Sequence, residues 1–174
     1  MKNTIKKAVL AILVIMVAVG GFMSPAPAQA FSFSSFIELF KAKIETEKAK
    51  DERASRIDAY FAKREMPLAG YGETFVEVAD AYDIDWRLLP AIAVRESSGG
   101  KHLLNKNPFG WGSCKIKFND FGEAIEEVGK NISGNDSDTA KYYANKTTYQ
   151  ILWAYNGTVM PTYPKEVIAI MEKI

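Results

Sequence analysis

Helix start and stop signals follow one another closely beyond residue 67 and leave room only for short helices. Asp120, followed three residues later by Glu123, indicates a capping box, and Thr147 precedes another predicted helix as a cap residue. Gly134 and Gly157 stand where helices stop, and Pro164 occupies a first-turn position. These signals and the spacing of apolar residues predict six helices, at residues 73–82, 86–98, 121–132, 138–145, 148–155 and 164–173.

In the segment between the second and third predicted helices, the apolar residues recur with a different spacing. Over residues 113–118, apolar and polar residues alternate, which is typical of a strand. We therefore expect a mainly α (α+β) fold of about six helices with a small β or loop lobe. Ahead of this domain, which we place at residues 67–174, a long polar helical pattern predicts a charged helical stalk over residues 31–66.

The first 30 residues have the layout of a secretory signal. Three lysines precede an uncharged apolar run at residues 8–23, and Ala28-Gln29-Ala30 offers the pattern that signal peptidases accept. We expect residues 1–30 to be a signal peptide that is removed, so that the protein acts in the periplasm, cell wall or extracellular space. The alternative is an uncleaved membrane anchor, although the apolar run is shorter than the roughly 20 residues of a spanning helix.

Charge and cysteine content narrow the classes of partner. Residues 1–30 hold three lysines and no acid, so the remaining chain has 19 basic and 21 acidic groups, a formal net charge of −2. Nucleic-acid binding needs a more basic surface, and we expect no nucleic-acid partner. The single cysteine, Cys114, forms no internal disulfide, and with His102 it makes neither a recognisable metal site nor a convincing nucleophile pair. We expect a monomer without cofactor or metal.

The second predicted helix ends with a glutamate on its apolar face. Four residues spaced i, i+3, i+4 and i+7 share this face: Leu89, Ile92, Ala93 and Glu96. The negative end of the helix dipole and partial burial both disfavour a charged carboxylate there. A carboxyl group that keeps its proton is what general-acid catalysis requires. The alternative is a solvated glutamate at a frayed helix end, paired with Lys101.

Two sets of motifs in this region resemble known enzymes. The run Ala93-x-x-Glu96-Ser97-x-x-Gly100-Lys101, followed by Asn107-Pro108-Phe109-Gly110, resembles the glucosaminidase domains of bacterial autolysins (mannosyl-glycoprotein endo-β-N-acetylglucosaminidase-like domains). In that family a Glu-Ser pair closes a helix before an Asn-x-Phe-Gly loop. Ala154-Tyr155-Asn156-Gly157, with Tyr163 and Val167 further on, is similar to the signature of soluble lytic transglycosylases. The resemblance covers roughly residues 72–170.

The resemblance implies a lysozyme-like domain that cleaves β-1,4 glycosidic bonds in peptidoglycan strands, with Glu96 as the catalytic acid. The motifs and the aromatic residues that follow Glu96 predict substrate contacts from Ser97, Asn107, Phe109, Trp111, Tyr155, Asn156 and Tyr163. Aromatic rings suit a sugar cleft because their faces stack on sugar CH groups. For Ser97 a plain helix-end hydroxyl is an equal alternative, and Trp153, within an apolar run, is expected in the core.

The type of reaction stays open at this stage. A lytic transglycosylase works with one glutamate, whereas a hydrolase needs a base for water or another way to stabilise the cation. Candidates for a second carboxylate are Asp120, Glu123 and Glu126, although we favour a capping role for the first two. The alternative from another class is a non-catalytic protein that binds glycan or scaffolds other proteins in the cell envelope.

Overall fold

The computed structural model describes the backbone of residues 33–174 and the side chains of residues 37–42 and 52–174. The signal peptide predicted over residues 1–30 lies outside the described residues. Within them, no helix combines the length and the apolar character needed to cross a membrane. The chain divides into two units, Met1–Phe40 and Lys41–Ile174, and the second unit carries the site described below.

Helices dominate the described part of the chain, which confirms the mainly α class. In chain order the α-helices are α1 (Phe33–Ala62), α2 (Gly72–Ala81), α3 (Leu88–Ser97), α4 (Phe121–Ile132), α5 (Ala140–Tyr143), α6 (Thr148–Leu152) and α7 (Tyr163–Met171). A short 3-10 turn spans Trp111–Cys114, and a π-helical turn over Trp153–Gly157 continues α6. Each of the six helices predicted beyond residue 67 has a counterpart.

The strand predicted over residues 113–118 is wrong. No strand occurs among residues 33–174, and the β pairing found there is one isolated bridge. The backbone φ angles are 61°, 56° and 59° at Gly112, Ser113 and Cys114. A left-handed backbone cannot continue a strand. The lobe between α3 and α4 is therefore a loop lobe.

The last turns of α1 belong to the compact unit, which begins before residue 67, where the sequence places the start of the domain. Ile57 and Phe61 are fully buried, and the ring of Phe61 lies 5.8 Å from that of Phe75 in α2. An apolar stripe at the end of a polar helix has to be covered, and α2 covers this one. The charged helix predicted as a stalk thus ends inside the core.

Helix α3 is the central helix of the compact unit. It makes its most extensive contacts with α7 and also packs against α2 and α4. Its first turns are almost entirely buried, as expected for a helix that is apolar all round: Leu88, Leu89, Ala91, Ile92 and Ala93. Helix α4 approaches closely at Gly129, where a Cβ atom would overlap Val78 and lie 3.3 Å from Leu89.

Both ends of α3 differ slightly from the predicted limits, for local reasons. Asp85 accepts a hydrogen bond from the backbone N–H of Arg87 at 2.9 Å, which holds residues 85–87 in a turn before the helix starts. Pro90 then lies in the first turn, where a missing N–H costs nothing. At the other end Ser98 is left-handed, with φ 54°, and two glycines follow.

The predicted caps of two later helices are confirmed. Asp120 accepts a hydrogen bond from the N–H of Glu123 at 2.9 Å at the start of α4. At the start of α6, Thr147 and Gln150 form a reciprocal capping box. Each cap satisfies backbone donors that the helix itself leaves unpaired.

Candidate functional site

A cavity of about 450 Å³ lies at the C-terminal end of α3, where the helix meets the loop lobe. The residues that line it are Glu96, Ser97, His102, Leu103, Leu104, Asn107, Gly110 and Cys114. Among these described lining residues, Glu96 supplies the only carboxylate. The cavity thus presents one acidic group within a wall of polar and aliphatic side chains.

Glu96 is half-buried, and its two carboxylate oxygens have different surroundings. Tyr163, at the start of α7, donates a hydrogen bond from its hydroxyl to Oε1 at 2.6 Å. The backbone of Gly110 lies against Oε2, since a Cβ atom at this position would be 3.3 Å from that oxygen. Gly110 is also left-handed, with φ 66°, which favours glycine. Among the described residues Glu96 forms no ion pair with Lys101. The structure therefore lacks the solvated Glu96–Lys101 pair that the sequence left open as the alternative.

Tyr163 is fully buried and acts on Glu96 rather than on a ligand, which corrects its predicted role as a substrate contact. Its ring stacks on Tyr155 at 6.0 Å between centroids and 8° between planes. Burial, together with the hydrogen bond to Glu96 and the charge of that group, raises the pKa of Tyr163. The hydroxyl therefore keeps its proton at neutral pH and remains a donor.

An ion pair supports the ring of Tyr163 from the solvent side. The guanidinium of Arg95 lies 5.8 Å from the ring centroid, and Glu166 holds that guanidinium at 2.7 Å. Thr162 donates a further hydrogen bond to Glu166 at 2.7 Å. These partners fix the start of α7 against the end of α3.

Ser97 connects the end of α3 to the loop lobe. Its hydroxyl lies 3.0 Å from the carbonyl oxygen of Ala93 and 2.8 Å from that of Pro108, and it accepts the N–H of Gly100 at 3.0 Å. The residue is only 3% exposed. A hydroxyl enclosed in this way has no free face for a sugar, so the predicted substrate contact is corrected to the helix-end alternative.

Asn107 and Phe109 shape the loop, and both residues are buried, which does not favour the substrate contacts predicted for them. The amide nitrogen of Asn107 donates to the carbonyl oxygen of Trp111 at 2.7 Å. Its Oδ1 accepts the N–H groups of Phe109 and Trp111, at 3.3 and 3.1 Å. Phe109 is fully buried in the core. The hydrogen bonds of Asn107 within the Asn-x-Phe-Gly motif therefore fix the loop and with it the position of Gly110.

Trp111, Tyr155 and Asn156 remain available to a ligand. The half-buried ring of Trp111 lies 5.7 Å from that of Tyr155. Tyr155 is half-buried, and its hydroxyl donates a hydrogen bond to the carbonyl oxygen of Phe109 at 2.6 Å. Burial, followed by the charge of Glu96, raises the pKa of Tyr155. The side chain of Asn156 is half-buried and has no hydrogen-bond partner among the described residues.

A groove of about 600 Å³ lies on the other side of the 3-10 turn that carries Trp111. Its aromatic and aliphatic lining comes from Trp111, Ile116, Tyr142, Tyr143 and Ala154. Tyr143 is nearly buried, and desolvation raises its pKa to about 12. Aromatic surface therefore continues away from Glu96 along the loop lobe.

The core position predicted for Trp153 is wrong. Its side chain is 41% exposed and stacks on Tyr149 at 6.4 Å and 16°. Ile151 and Leu152 fill the core side of the helix. One residue further on, the helical rotation of about 100° carries Trp153 out of the core.

The candidates for a second carboxylate all have other partners. Asp120 caps α4, and Glu123 accepts the N–H of Asn119 at 2.6 Å. Glu126 accepts the hydroxyl of Tyr82 at 2.5 Å, and this hydrogen bond raises the pKa of Tyr82 to about 12. None of the three carboxylates lines the cavity of Glu96.

His102 and Cys114 line the same cavity as Glu96, but no hydrogen bond joins their side chains in the described structure. The residues described contain no group of three or more His, Cys, Asp or Glu side chains arranged to hold a metal ion. The titratable side chains that line the cavity are therefore Glu96, His102 and Cys114.

Three residues important to the site were not singled out from the sequence: Gly110, Arg95 and Glu166. Gly110 closes the Asn-x-Phe-Gly motif, and that position was a usable signal. The pairing of Arg95 with Glu166 joins residues 71 positions apart. No local spacing could have indicated such a pair.

We compared the chain with protein-family models, with curated proteins and with solved structures, and nothing matches significantly. The comparisons therefore assign no family.

Proposed function

We propose that this protein is a lysozyme-like enzyme that cleaves β-1,4 glycosidic bonds in the glycan strands of peptidoglycan, outside the cytoplasmic membrane, with Glu96 as the general acid. One observation carries the proposal. Glu96 is the only carboxylate among the described residues lining its cavity, and a buried tyrosine holds it there at 2.6 Å. A half-buried carboxyl group fixed at the mouth of a cavity is suited to proton transfer.

In this mechanism the carboxyl group of Glu96 gives a proton to the oxygen of the scissile bond. The bond between that oxygen and the anomeric carbon breaks, and positive charge develops on the sugar ring. The oxygen Oε2 is the donor atom we assign, because Tyr163 already occupies Oε1. Oε2 accepts no hydrogen bond within the described residues and faces the backbone of Gly110.

The surrounding residues position this carboxyl group. Tyr163 holds Oε1, while Ser97 and Asn107 fix the loop that brings Gly110 to Oε2. Trp111 and Tyr155 are half-buried aromatic residues on whose rings pyranose faces can stack. The energetic role of such positioning is to hold reacting groups in place before the reaction starts.

The surroundings of Glu96 favour the reaction that needs a single glutamate. After the leaving sugar departs, the C6 hydroxyl attacks the anomeric carbon, and its proton returns to Glu96, which yields a 1,6-anhydro end without water. A hydrolytic N-acetylglucosaminidase would need a base for water. The carboxylates of Asp120, Glu123 and Glu126 are engaged elsewhere and support no such role.

Glycan binding without cleavage is the second candidate function. The exposed stacked pair of Tyr149 and Trp153 favours it, because such rings can bind sugar far from any acid. Under this alternative the domain binds or scaffolds in the cell envelope, and Glu96 contributes only structure.

The test is Glu96→Gln, with Glu172→Gln as the matched control, assayed on purified sacculi by the mass of the released products. We expect Glu96→Gln to fold normally and to lose activity by about a hundredfold or more, whereas the exposed Glu172 can change without effect. A 1,6-anhydro muramyl end identifies a transglycosylase, and a reducing N-acetylglucosamine end identifies a glucosaminidase. A folded Glu96→Gln variant with full activity refutes the assignment, and binding without any product leaves the scaffold function.

A further inference from the structure

The loop lobe between α3 and α4 differs in charge from the rest of the chain. Residues 98–120 contain one acid, the α4 cap Asp120, and four lysines: Lys101, Lys106, Lys115 and Lys117. Outside this lobe, residues 31–174 hold 15 basic groups against 20 acidic groups, a formal charge of −5. The lobe therefore carries a formal charge of +3 on a domain that is otherwise acidic.

The four lysines are exposed and lack acidic partners. Among the described residues none of them forms an ion pair with a carboxylate, and only Lys106 makes a side-chain hydrogen bond, to the carbonyl oxygen of Asn119. The adjoining groove is lined by three acids. Asp136 pairs with Lys130 at 3.1 Å, whereas Glu127 and Asp138 pair with no cation among the described residues. The lobe thus places unpaired positive charge beside the cavity, and the groove next to it is acidic.

This charge stands next to the residues that line the cavity of Glu96. Lys101 precedes His102 and Lys115 follows Cys114, and both of these neighbours line the cavity. Lysines at the edge of a site attract anionic ligands over roughly a Debye length and add short-range pairing once the ligand is bound.

We propose that the loop lobe selects glycan strands that carry carboxylates on their muramyl residues over neutral glycans. The inference rests on the proposed function, because it takes the ligand of the cavity to be a peptidoglycan strand. Both the lactyl group and the stem peptide can supply the carboxylate, and their shared chemistry is a fixed anion beside the chain of sugars. A neutral polymer such as chitin has the same β-1,4 linkage without that anion.

The test measures binding rather than cleavage. The triple variant K101Q/K115Q/K117Q keeps Lys106, whose ammonium group holds the loop. The control K63Q/K165Q/K173Q removes the same charge from exposed lysines outside the lobe. Both variants are made in a Glu96→Gln background, and thermal unfolding checks that they fold. Binding is measured by sedimentation with four ligands: intact sacculi freed of phosphate polymers, peptide-free strands, chitin and anionic lipid vesicles.

We expect the lobe variant to bind both muramyl polymers about tenfold more weakly than the control, from about a factor of two per exposed lysine. Binding to chitin should be equal for the two variants, and added salt should weaken only the control's binding to the muramyl polymers. A loss on intact sacculi alone assigns the anion to the stem peptide. A loss on both polymers shows that the lobe binds either anion, because the lactyl carboxylate is free only where the stem peptide has been removed.

Equal binding of the two variants to sacculi overturns the proposal, as does an equal loss on chitin. Lysine-dependent binding to vesicles but not to glycan overturns it in favour of a membrane surface. The proposed function is judged separately by product formation with the unmodified chain. A protein that cleaves sacculi while the lobe variant binds normally refutes only this inference.

Discussion

The hydrogen bond between Tyr163 and Glu96 makes the most direct prediction, because Tyr163→Phe removes the donor and leaves the ring. The bond is 2.6 Å long and comes from a fully buried residue. Glu96 becomes charged as it gives up its proton, and hydrogen bonds to charged groups contribute about 1.5–3 kcal/mol. If the bond holds Glu96 in its reactive position, losing it should lower activity per folded molecule by about tenfold to a hundredfold.

Stability should change much less than activity in this variant. Glu96 is half-buried at a cavity of about 450 Å³, so water can donate to Oε1 once the phenol hydroxyl is gone. We expect the free energy of unfolding to fall by about 1 kcal/mol, well below the 3–5 kcal/mol of deleting a buried aromatic ring. Release of soluble fragments from sacculi measures the activity, and urea unfolding measures the stability.

Tyr82→Phe is the matched control, since its hydroxyl also donates to a glutamate, Glu126 at 2.5 Å, and neither residue lines the cavity of Glu96. Its loss should cost some stability and leave the activity per folded molecule unchanged. Wild-type activity in Tyr163→Phe would refute the positioning role. Equal losses of activity in the two variants would mean that the loss comes from a general effect on packing and not from the positioning of Glu96.

Two further variants test the loop and the turn before α3. Gly110→Ala should lose about 1–2 kcal/mol of stability from its left-handed backbone and most of its activity, because the new Cβ lies 3.3 Å from Oε2 of Glu96. Gly70→Ala, with φ 94° and nothing within 4 Å, should lose only stability, and equal activity in the two variants contradicts the reasoning. Burial opposes ionisation of Asp85, but the hydrogen bonds from Arg87 outweigh it and hold the pKa of Asp85 below its ordinary 3.8. Asp85→Asn should therefore be less stable than wild type at pH 7, with the difference shrinking as the pH falls below about 4, and a pH-independent difference in urea unfolding would exclude this.

The helices could be predicted because their signals are local. The caps at Asp120 and Thr147 and the glycine stops act within one or two turns, and each stands where the sequence places it. The strand over residues 113–118 failed for the opposite reason. Its apolar alternation is real, but three consecutive left-handed residues bend the backbone around the hydrogen-bonded side chain of Asn107. No pattern of hydrophobicity reports such a bend.

The position of Glu96 could be predicted from the sequence, but the residues that contact it could not. The face shared with Ile92 and Ala93 places Glu96 at the end of an apolar helix, and this needs only the helical period. The hydrogen bond to Tyr163 spans 67 residues and depends on how α7 packs on α3. Trp153 shows the same limit, because one residue of helical rotation decides between core and surface.

The residues of the glucosaminidase-like motif hold the loop in position and make little contact with a ligand. This explains why so many of them are buried. Ser97 ties the helix end to the carbonyl oxygen of Pro108, and Asn107 closes the loop around Phe109. Together they fix the backbone of Gly110 beside Oε2 of Glu96, where a side chain would intrude. A ligand that approaches this oxygen lies against the backbone of the loop. The residues of the motif therefore serve to keep the distance between the end of α3 and Gly110 constant. Substitutions at Ser97 or Asn107 should therefore act on the position of Gly110. Under the proposed function, contacts to sugar would come from the more exposed Trp111, Tyr155 and Asn156.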